Sequence, residues 1–495
     1  MIQHEYGVAL SIQELPSVVF HFLERSHPRM LSGVQGPVGL FVRYLRCKPA
    51  RGLTIRYQAA ARNASRRKRF TIPHRWITVI TGEAALAGTQ IPWTAGQVVQ
   101  PTLHVRAPDN APGTTFTDQG LVVRVFPADQ GLSALGETCS PSPRGPVFSA
   151  LETAAQIQLC DASWHLTFTT AEPVRYKPSS RCVIRYRLLL ERTTAEGTLQ
   201  QNLTLFGKLY GDPEHARMIH ATLQQLYAEQ AETGQPIIPR PLGAVDAIGL
   251  VLSAAVPSSI SAELTSLRPG LRLLQPRLLR GDCGEVVDMV IPGEELRKTA
   301  TALARLHTSI CRPEGAPRTG AKEAKRVGER AALVAAHNPE QAETAQRLGH
   351  QLATLLEAVQ PDAYRSAHGG FKPSQLLFGR HGVFVVDLDG FCLADPALDV
   401  GYFLAYLRPS GLWYDRAGMR EWFEDSSGRF VDAYRRALSE RGIQDDTTHG
   451  ILQRTRLYEA AILFKIAARR INRVNSPRPK ELSAILTEVA CLMNQ

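Results

Sequence analysis

No Cys-x-x-Cys pair occurs among the eight cysteines, which stand at 47, 139, 160, 182, 283, 311, 392 and 491. Their scatter excludes a zinc ribbon or knuckle and argues against a disulfide framework. Long apolar runs are also missing: Ala460–Phe464 is ended by Lys465, far short of the ~18–20 residues a membrane helix needs. The opening Met1-Ile2-Gln3-His4-Glu5 lacks a basic start and apolar run. The expectation is a cytoplasmic protein with reduced thiols and no membrane partner. Lysine is scarce, ten of the 57 basic residues, so the other 47 are arginine. The net charge of +11 is spread over the whole chain. It favours anionic partners, nucleotides included, without assigning nucleic acid.

What is present is enough for ordinary cores. At roughly 100–200 residues per domain, 495 residues make two to four domains, and 44% hydrophobic content excludes global disorder.

An internal repeat organises the first half. Arg46-Cys47-Lys48-Pro49 with Ile55-Arg56-Tyr57 returns as Arg175-Tyr176-Lys177-Pro178 with Ile184-Arg185-Tyr186. Gly120-Leu121-Val122 returns as Gly249-Leu250-Val251 at the same offset of 129. The reading is two copies of one α/β unit, near 10–130 and 140–258. Helices are expected at Ile12–Leu23 and Val147–Gln158. In the second copy, strands are expected at Trp164–Thr169, Val183–Leu190, Leu203–Tyr210 and Gly249–Ser253. A helix from Pro213 to about Glu229 follows Asp212, a good cap. Beyond about 292 the spacing turns helical: Leu296, Ala300, Leu303, His307 and Ile310 make one stripe. Further helices are expected over Ala342–Val359, Ala397–Leu407, Met419–Arg441, His449–Ile471 and Lys480–Met493. A short hairpin is expected around 379–382.

The chemistry concentrates in His368-Gly369-Gly370-Phe371-Lys372-Pro373-Ser374-Gln375, then Val386-Asp387-Leu388-Asp389-Gly390, then Asp395-Pro396-Ala397-Leu398-Asp399. This ordered set resembles the catalytic region of the aminoglycoside phosphotransferase and choline kinase-like families, which share the protein-kinase fold. Their pattern is His-Gly-Asp, four residues, Asn, a hairpin, Ile-Asp-Phe/Trp, and later Asp-Pro-x-x-Asp-Leu. The resemblance implies an α+β, two-lobe kinase-like fold with a β-rich N-lobe and a helical C-lobe. Here a degenerate N-lobe-like repeat precedes it, giving domains 1–139, 140–258 and 259–495.

The same resemblance assigns roles. Phosphoryl transfer needs Mg²⁺ on the phosphates, a cation beside them and an oriented nucleophile. Asp387 would be the main metal ligand, and Gln375 stands where the family has its second ligand, Asn. Asp389 could add an oxygen or simply cap the turn to Gly390. His368 would orient the loop, and Asp395 and Asp399 would brace it, buried and hydrogen-bonded. Where the family places its catalytic aspartate this chain has Gly370, which cannot accept a proton. Lys372 takes the place of a lysine that meets the transferred phosphate.

Upstream, Phe206-Gly207-Lys208-Leu209-Tyr210 resembles the strand whose lysine contacts nucleotide phosphates. A lysine in an apolar strand calls for an anionic partner. The turn Lys177-Pro178-Ser179-Ser180-Arg181 would cover the phosphates, and Ala254 to Val256 resembles the adenine hinge. Glu214 and Glu229 are the candidate partners of Lys208. In the first copy Val79 replaces Lys208, so its nucleotide site is expected to be lost. Arg62, Arg66, Arg67, Lys68 and Arg69 there could dock an anionic partner or RNA, but without interleaved aromatics they read rather as a solvated loop tip.

Two functions remain open. One is a pseudokinase-like binding or regulatory module that keeps ATP (or GTP) and Mg²⁺. The other is an active ATP-dependent phosphotransferase on a small hydroxyl-bearing molecule. The acceptor, or a protein partner, is not identified by the sequence. Acceptor choice is expected to lie near 259–360.

Overall fold

A computed structural model describes residues 2–3, 9–10, 38–48, 52–61, 76–81, 114–116, 122–232, 234–256, 273–280, 286–379, 382–472 and 478–494. The expected helix Ile12–Leu23 and the basic cluster at 62–69 lie outside them. The chain divides into two compact units, one of Met1–His220 with Pro241–Ala255, the other of Ala221–Arg240, Val256–Asn472 and Ser476–Gln495. Among the described residues no helix is long and apolar enough to cross a membrane.

The first unit holds two five-stranded antiparallel sheets. After a small ladder, β1 (Ile2–Gln3) with β2 (Ala9–Leu10), come β3 (Val38–Lys48), β4 (Gly52–Ala61), β5 (Trp76–Thr81), β6 (Thr114–Phe116) and β7 (Val122–Val125). They pair in the order β3-β4-β5-β7-β6. The second sheet comprises β8 (His165–Lys177), β9 (Arg181–Thr194), β10 (Gly197–Tyr210), β11 (Pro241–Val245) and β12 (Leu250–Ala254), in the order β8-β9-β10-β12-β11. Both sheets therefore run first, second, third, fifth, fourth. The first hairpins share more than order. Lys48 faces Gly52, Cys47 faces Leu53 and Arg46 faces Thr54. Lys177 faces Arg181, Tyr176 faces Cys182 and Arg175 faces Val183. Each pair of the second set is the first moved on by 129.

Strand β9 shows the two-residue period of a half-buried strand: Cys182, Ile184, Tyr186, Leu188 and Leu190 all point into the core. Against this sheet packs a core that includes Leu151, Ala154 and Ala155 of α2 (Pro146–Leu159), which follows the short α1 (Leu135–Cys139). The fixed φ of Pro146 suits the first helical position, and Cys160 closes the helix in a left-handed conformation. Helix α3 (Pro213–Ala231) starts the same way, Asp212 accepting the Glu214 N–H at 3.0 Å and the His215 N–H at 3.3 Å.

The second unit is mainly helical. It contains the hairpin β13 (Arg277–Arg280) and β14 (Val286–Val290), then α4 (Gly293–His307), α5 (Gly320–His337) and α6 (Ala342–Glu357). Four short strands follow: β15 (Arg365–Ala367), β16 (Leu376–Phe378), β17 (Val383–Val385) and β18 (Cys392–Ala394). They pair as β15 with β18 and β16 with β17. Then come α7 (Ala397–Leu407), α8 (Met419–Ser439), α9 (Asp445–Asn472) and α10 (Leu482–Asn494). Leu296, Ala300, Leu303 and His307 of α4 are buried as their spacing requires, but Ile310, expected on the same stripe, lies beyond the end of the helix and is 82% exposed. Phe403 of α7 stacks on Phe430 of α8 with centroids 4.1 Å apart. The chain is thus an antiparallel-sheet part and a helical part, the α+β kinase-like class.

Candidate functional site

The loop between β15 and β16 carries His368 to Gln375, and one buried carboxylate shapes it. Asp399, fully buried near the start of α7, accepts the N–H groups of His368 (2.6 Å), Gly370 (3.1 Å) and Phe371 (3.3 Å). Burial opposes its charge, yet the hydrogen bond from His307 and the neighbouring His307 and His368 hold its carboxyl below the usual range. His307 links Asp399 (3.4 Å) to the Tyr434 hydroxyl (2.7 Å). Because a carboxylate only accepts, Nε2 of His307 donates to it and Nδ1 accepts from Tyr434. Asp395, also fully buried, accepts from the Ala397 N–H and, at 2.7 Å, from Nε of Arg454. Both acids are buried and hydrogen-bonded, as the family resemblance implies.

His368 is buried too. Its Nε2 lies 3.1 Å from the Val386 carbonyl, so that nitrogen carries the proton. Burial lowers its pKa and keeps it neutral. The N–H of Val386 in turn donates to the Gln375 carbonyl at 2.9 Å. The loop is therefore stitched on both sides to the residue just before Asp387.

Asp387 itself has φ 69°, ψ 46°, a left-handed conformation that non-glycine residues rarely hold and that clusters at functional sites. Nε2 of Gln375 donates to its Oδ2 at 3.4 Å, while Gln375 Oε1 is buried without a hydrogen-bond partner. Asp389 lies on the single 3₁₀ turn that follows, Leu388–Gly390. Among the described residues no three His, Cys, Asp or Glu side chains converge as a metal cage. The Asp387 carboxylate, with the Gln375 amide beside it and that amide's oxygen still without a partner, nevertheless suits Mg²⁺, which takes one or two carboxylates and completes its shell with water and phosphate. Lys372 is half-buried; burial, then the charges of Lys465 and Arg469, push its ammonium down to about 8.

Gly370 is the open point of this loop. A Cβ there would meet nothing within 4 Å, and its backbone is outside the left-handed region. Its neighbour Gly369 is the opposite: φ is +70°, and a Cβ would lie 2.2 Å from the Gly390 carbonyl oxygen.

In the first unit Lys208 is half-buried on β10, opposite Val183 and Val251, with Nζ 5.2 Å from the Tyr210 ring centroid. Gly207 lets Tyr186 lie against the strand, since a Cβ would come within 2.7 Å of its ring. The turn Lys177–Arg181 is held by Asp129, an acid that sequence reasoning missed. Asp129 accepts from the Ser179 N–H (2.7 Å), the Ser179 hydroxyl (3.2 Å) and the Tyr176 hydroxyl (2.5 Å). The Ser180 N–H returns to the Lys177 carbonyl. Ser179 therefore spends its donors on the protein. Ala254, the last residue of β12, pairs with Leu205, and Val256 follows two residues on. Of the acids expected on α3, Glu214 pairs with Arg217. Glu229 accepts from Ser309 and from the N–H groups of Ile310 (3.0 Å) and Cys311 (3.4 Å).

A family model described as the phosphotransferase enzyme family matches residues 193–448, just over half of the chain. No curated protein matches. Among solved structures, a glucosamine kinase in complex with glucosamine, ADP and inorganic phosphate is 17% identical over 71% of this chain and 87% of its own, with a TM-score of 0.44. A second glucosamine kinase structure is 16% identical over 98% of this chain and 99% of its own, with a TM-score of 0.45. A choline kinase from Streptococcus pneumoniae is 11% identical over 70% and 98%, with a TM-score of 0.38.

Proposed function

The chain belongs to the phosphotransferase enzyme family, and from that we propose that it binds ATP (or GTP) with Mg²⁺ while being impaired in phosphoryl transfer, a pseudokinase-like binding or regulatory module. The carrying observation is the loop at 368–375: fully braced by Asp399, yet with no side chain at Gly370. Asp387, with Gln375 and Asp389, would hold the magnesium. Bound there, the ion neutralises phosphate charge. His368 keeps the loop in register with Asp387, and Lys372 supplies positive charge for the phosphoryl group. In the first unit Lys208 stands at the family's phosphate-contacting position, Lys177 to Ser180 at its covering turn, and Ala254 and Val256 at its adenine hinge. We also infer that the first sheet is a degenerate copy of the second, on the shared strand order and the constant 129-residue shift.

One observation favours the second reading, an active phosphotransferase on a small hydroxyl-bearing molecule. Lys372 is held at about 8, so a fraction is neutral at physiological pH and able to take a proton. Calorimetry separates binding from misassignment. Wild type should bind Mg²⁺–ATP, and Lys208→Ala and Asp387→Asn should each weaken it by at least roughly tenfold, the loss of one charged contact. Unchanged binding in both variants would show that the roles are wrongly placed.

A further inference from the structure

Among the described residues of the second unit, several buried cations pair with acids. Arg408 sits between Glu459 and Glu488, Arg454 on Asp395, and Arg470 on Glu481. One place departs from that habit. Tyr402 and Tyr406, one turn apart on α7, stack with ring centroids 6.4 Å apart and planes within 6°. Cations surround this plate. Lys465 donates to the Tyr402 hydroxyl at 2.6 Å and lies 4.6 Å from its ring centroid. Arg469 donates to the Tyr406 hydroxyl at 2.7 Å, and Lys372 lies 5.8 Å from that ring. Arg318 lies 5.8 Å from the Tyr402 ring and donates to the Gly369 carbonyl at 2.5 Å.

Among the described residues, the acids nearby do not balance them. Buried Glu323 is already taken by Arg318 (2.6 Å) and Arg326, and Asp387 is the carboxylate that acts on Lys372. Arg330, which also presses on Lys465, donates to the Ala461 carbonyl. Among the described residues, none of Lys372, Lys465 and Arg469 has a carboxylate in ion-pairing contact. Burial, then Arg469, Arg330 and Arg318, push the Lys465 ammonium down to about 7. Gathering like charges out of water is unfavourable unless something negative joins them. Lysine scarcity sharpens the point, because two of the ten lysines stand here.

The cluster's position says what the missing anion belongs to. Lys372 is two residues beyond Gly370, and Arg318 holds the Gly369 carbonyl, so the cations flank the loop position that would face an acceptor hydroxyl. We propose that Lys372, Lys465 and Arg469 bind the phosphate or carboxylate group of a small hydroxyl-bearing molecule, so that the acceptor side of this site takes an anionic sugar or polyol rather than a neutral or cationic one. The acceptor assignment rests on the kinase reading given above; the anion site itself does not.

The test is calorimetry on the full chain, with and without saturating Mg²⁺–ADP. The probes are inorganic phosphate, glucose 6-phosphate, gluconate, glucose and glucosamine. The first three should bind with ADP present, and glucose and glucosamine at least roughly tenfold more weakly, since an uncompensated charge contact is at stake. Lys465→Met with Arg469→Met should weaken the anions by a similar factor and leave ADP unchanged. Equal binding of glucosamine and glucose 6-phosphate, or unchanged anion binding in the double variant, would overturn the proposal. So would ADP competing away phosphate, which would give the cluster to the nucleotide. Anion binding that the variants abolish, in a protein that binds no nucleotide, would uphold the cluster and remove only the kinase reading. A melt in anion-free buffer guards against a folding artefact. Lys465→Met should raise the melting temperature, and a fall would show that the cluster is structural.

Discussion

Gly370→Asp restores the carboxylate that the family pattern places on this loop, and the local geometry allows a clean experiment. The substituted Cβ meets no atom within 4 Å, and the residue does not need a left-handed backbone. The N–H bond to Asp399 at 3.1 Å is a backbone contact and survives the change. Replacing glycine at an unstrained position gains roughly 0.4–1 kcal/mol by restricting the unfolded chain. A new carboxylate near Asp399 works against that gain, so the melting temperature should stay close to wild type. A positioned acid or base is typically worth ~10²–10⁴-fold in rate. ATP consumption, followed by a coupled ADP assay with a panel of hydroxyl-bearing acceptors, should therefore rise at least roughly tenfold, even if alignment is imperfect. An unchanged rate in a folded variant that still binds Mg²⁺–ATP would refute the reasoning that Gly370 is what limits transfer.

Two further outcomes follow from neighbouring geometry. Gly369→Ala should destabilise by roughly 2 kcal/mol or more, read as a lower denaturation midpoint, because φ is +70° and the Gly390 carbonyl oxygen stands 2.2 Å from the new Cβ. Lys465 and Lys372 are held at about 7 and about 8, below their ordinary 10.5. Between those values and 10.5 the unfolded chain binds more protons, so stability rises with pH; below about 7 the penalty is complete. Denaturation midpoints at pH 9 and pH 6.5 should differ in favour of pH 9 by on the order of 2–4 kcal/mol, and Lys465→Met should shrink the difference.

The helical half was legible because periodicity and motif coincide there. Helix α7 runs Ala397–Leu407, the span read from the sequence, since Pro396 and the turn at Arg408 bound a segment whose one charged residue is Asp399. Strands β8 to β10 are longer than expected, reaching His165–Lys177, Arg181–Thr194 and Gly197–Tyr210. Their outer halves are polar and held by ladder bonds rather than burial, so hydropathy underestimates them. Helix α5 went unread. Its first turns are charged and its buried face is built largely from Ala324, Val327, Ala331 and Val334, a weak stripe. Thr319, whose hydroxyl accepts the Lys322 N–H at 3.3 Å, was the available signal.

The site was legible where its residues are close in sequence, from His368 to Asp399. It was opaque where partners come from far away. Asp129 reaches Ser179 across 50 residues, and His307 reaches Asp399 across 92. Lys465 carried the same clue as Lys208, a rare lysine inside an apolar stretch, but nothing in the sequence says that Tyr402 lies beside it.

The most direct test of the central claim is Mg²⁺–ATP binding and ATP turnover measured together on one wild-type preparation. Kinases commonly turn over at ~1–100 s⁻¹, and losing a base removes ~10²–10⁴ of that. The account predicts saturable nucleotide binding with turnover on the order of 10⁻⁴–1 s⁻¹. Absence of binding, or turnover well inside the ordinary kinase range, would contradict it, the latter by showing that another residue does the work missing at Gly370.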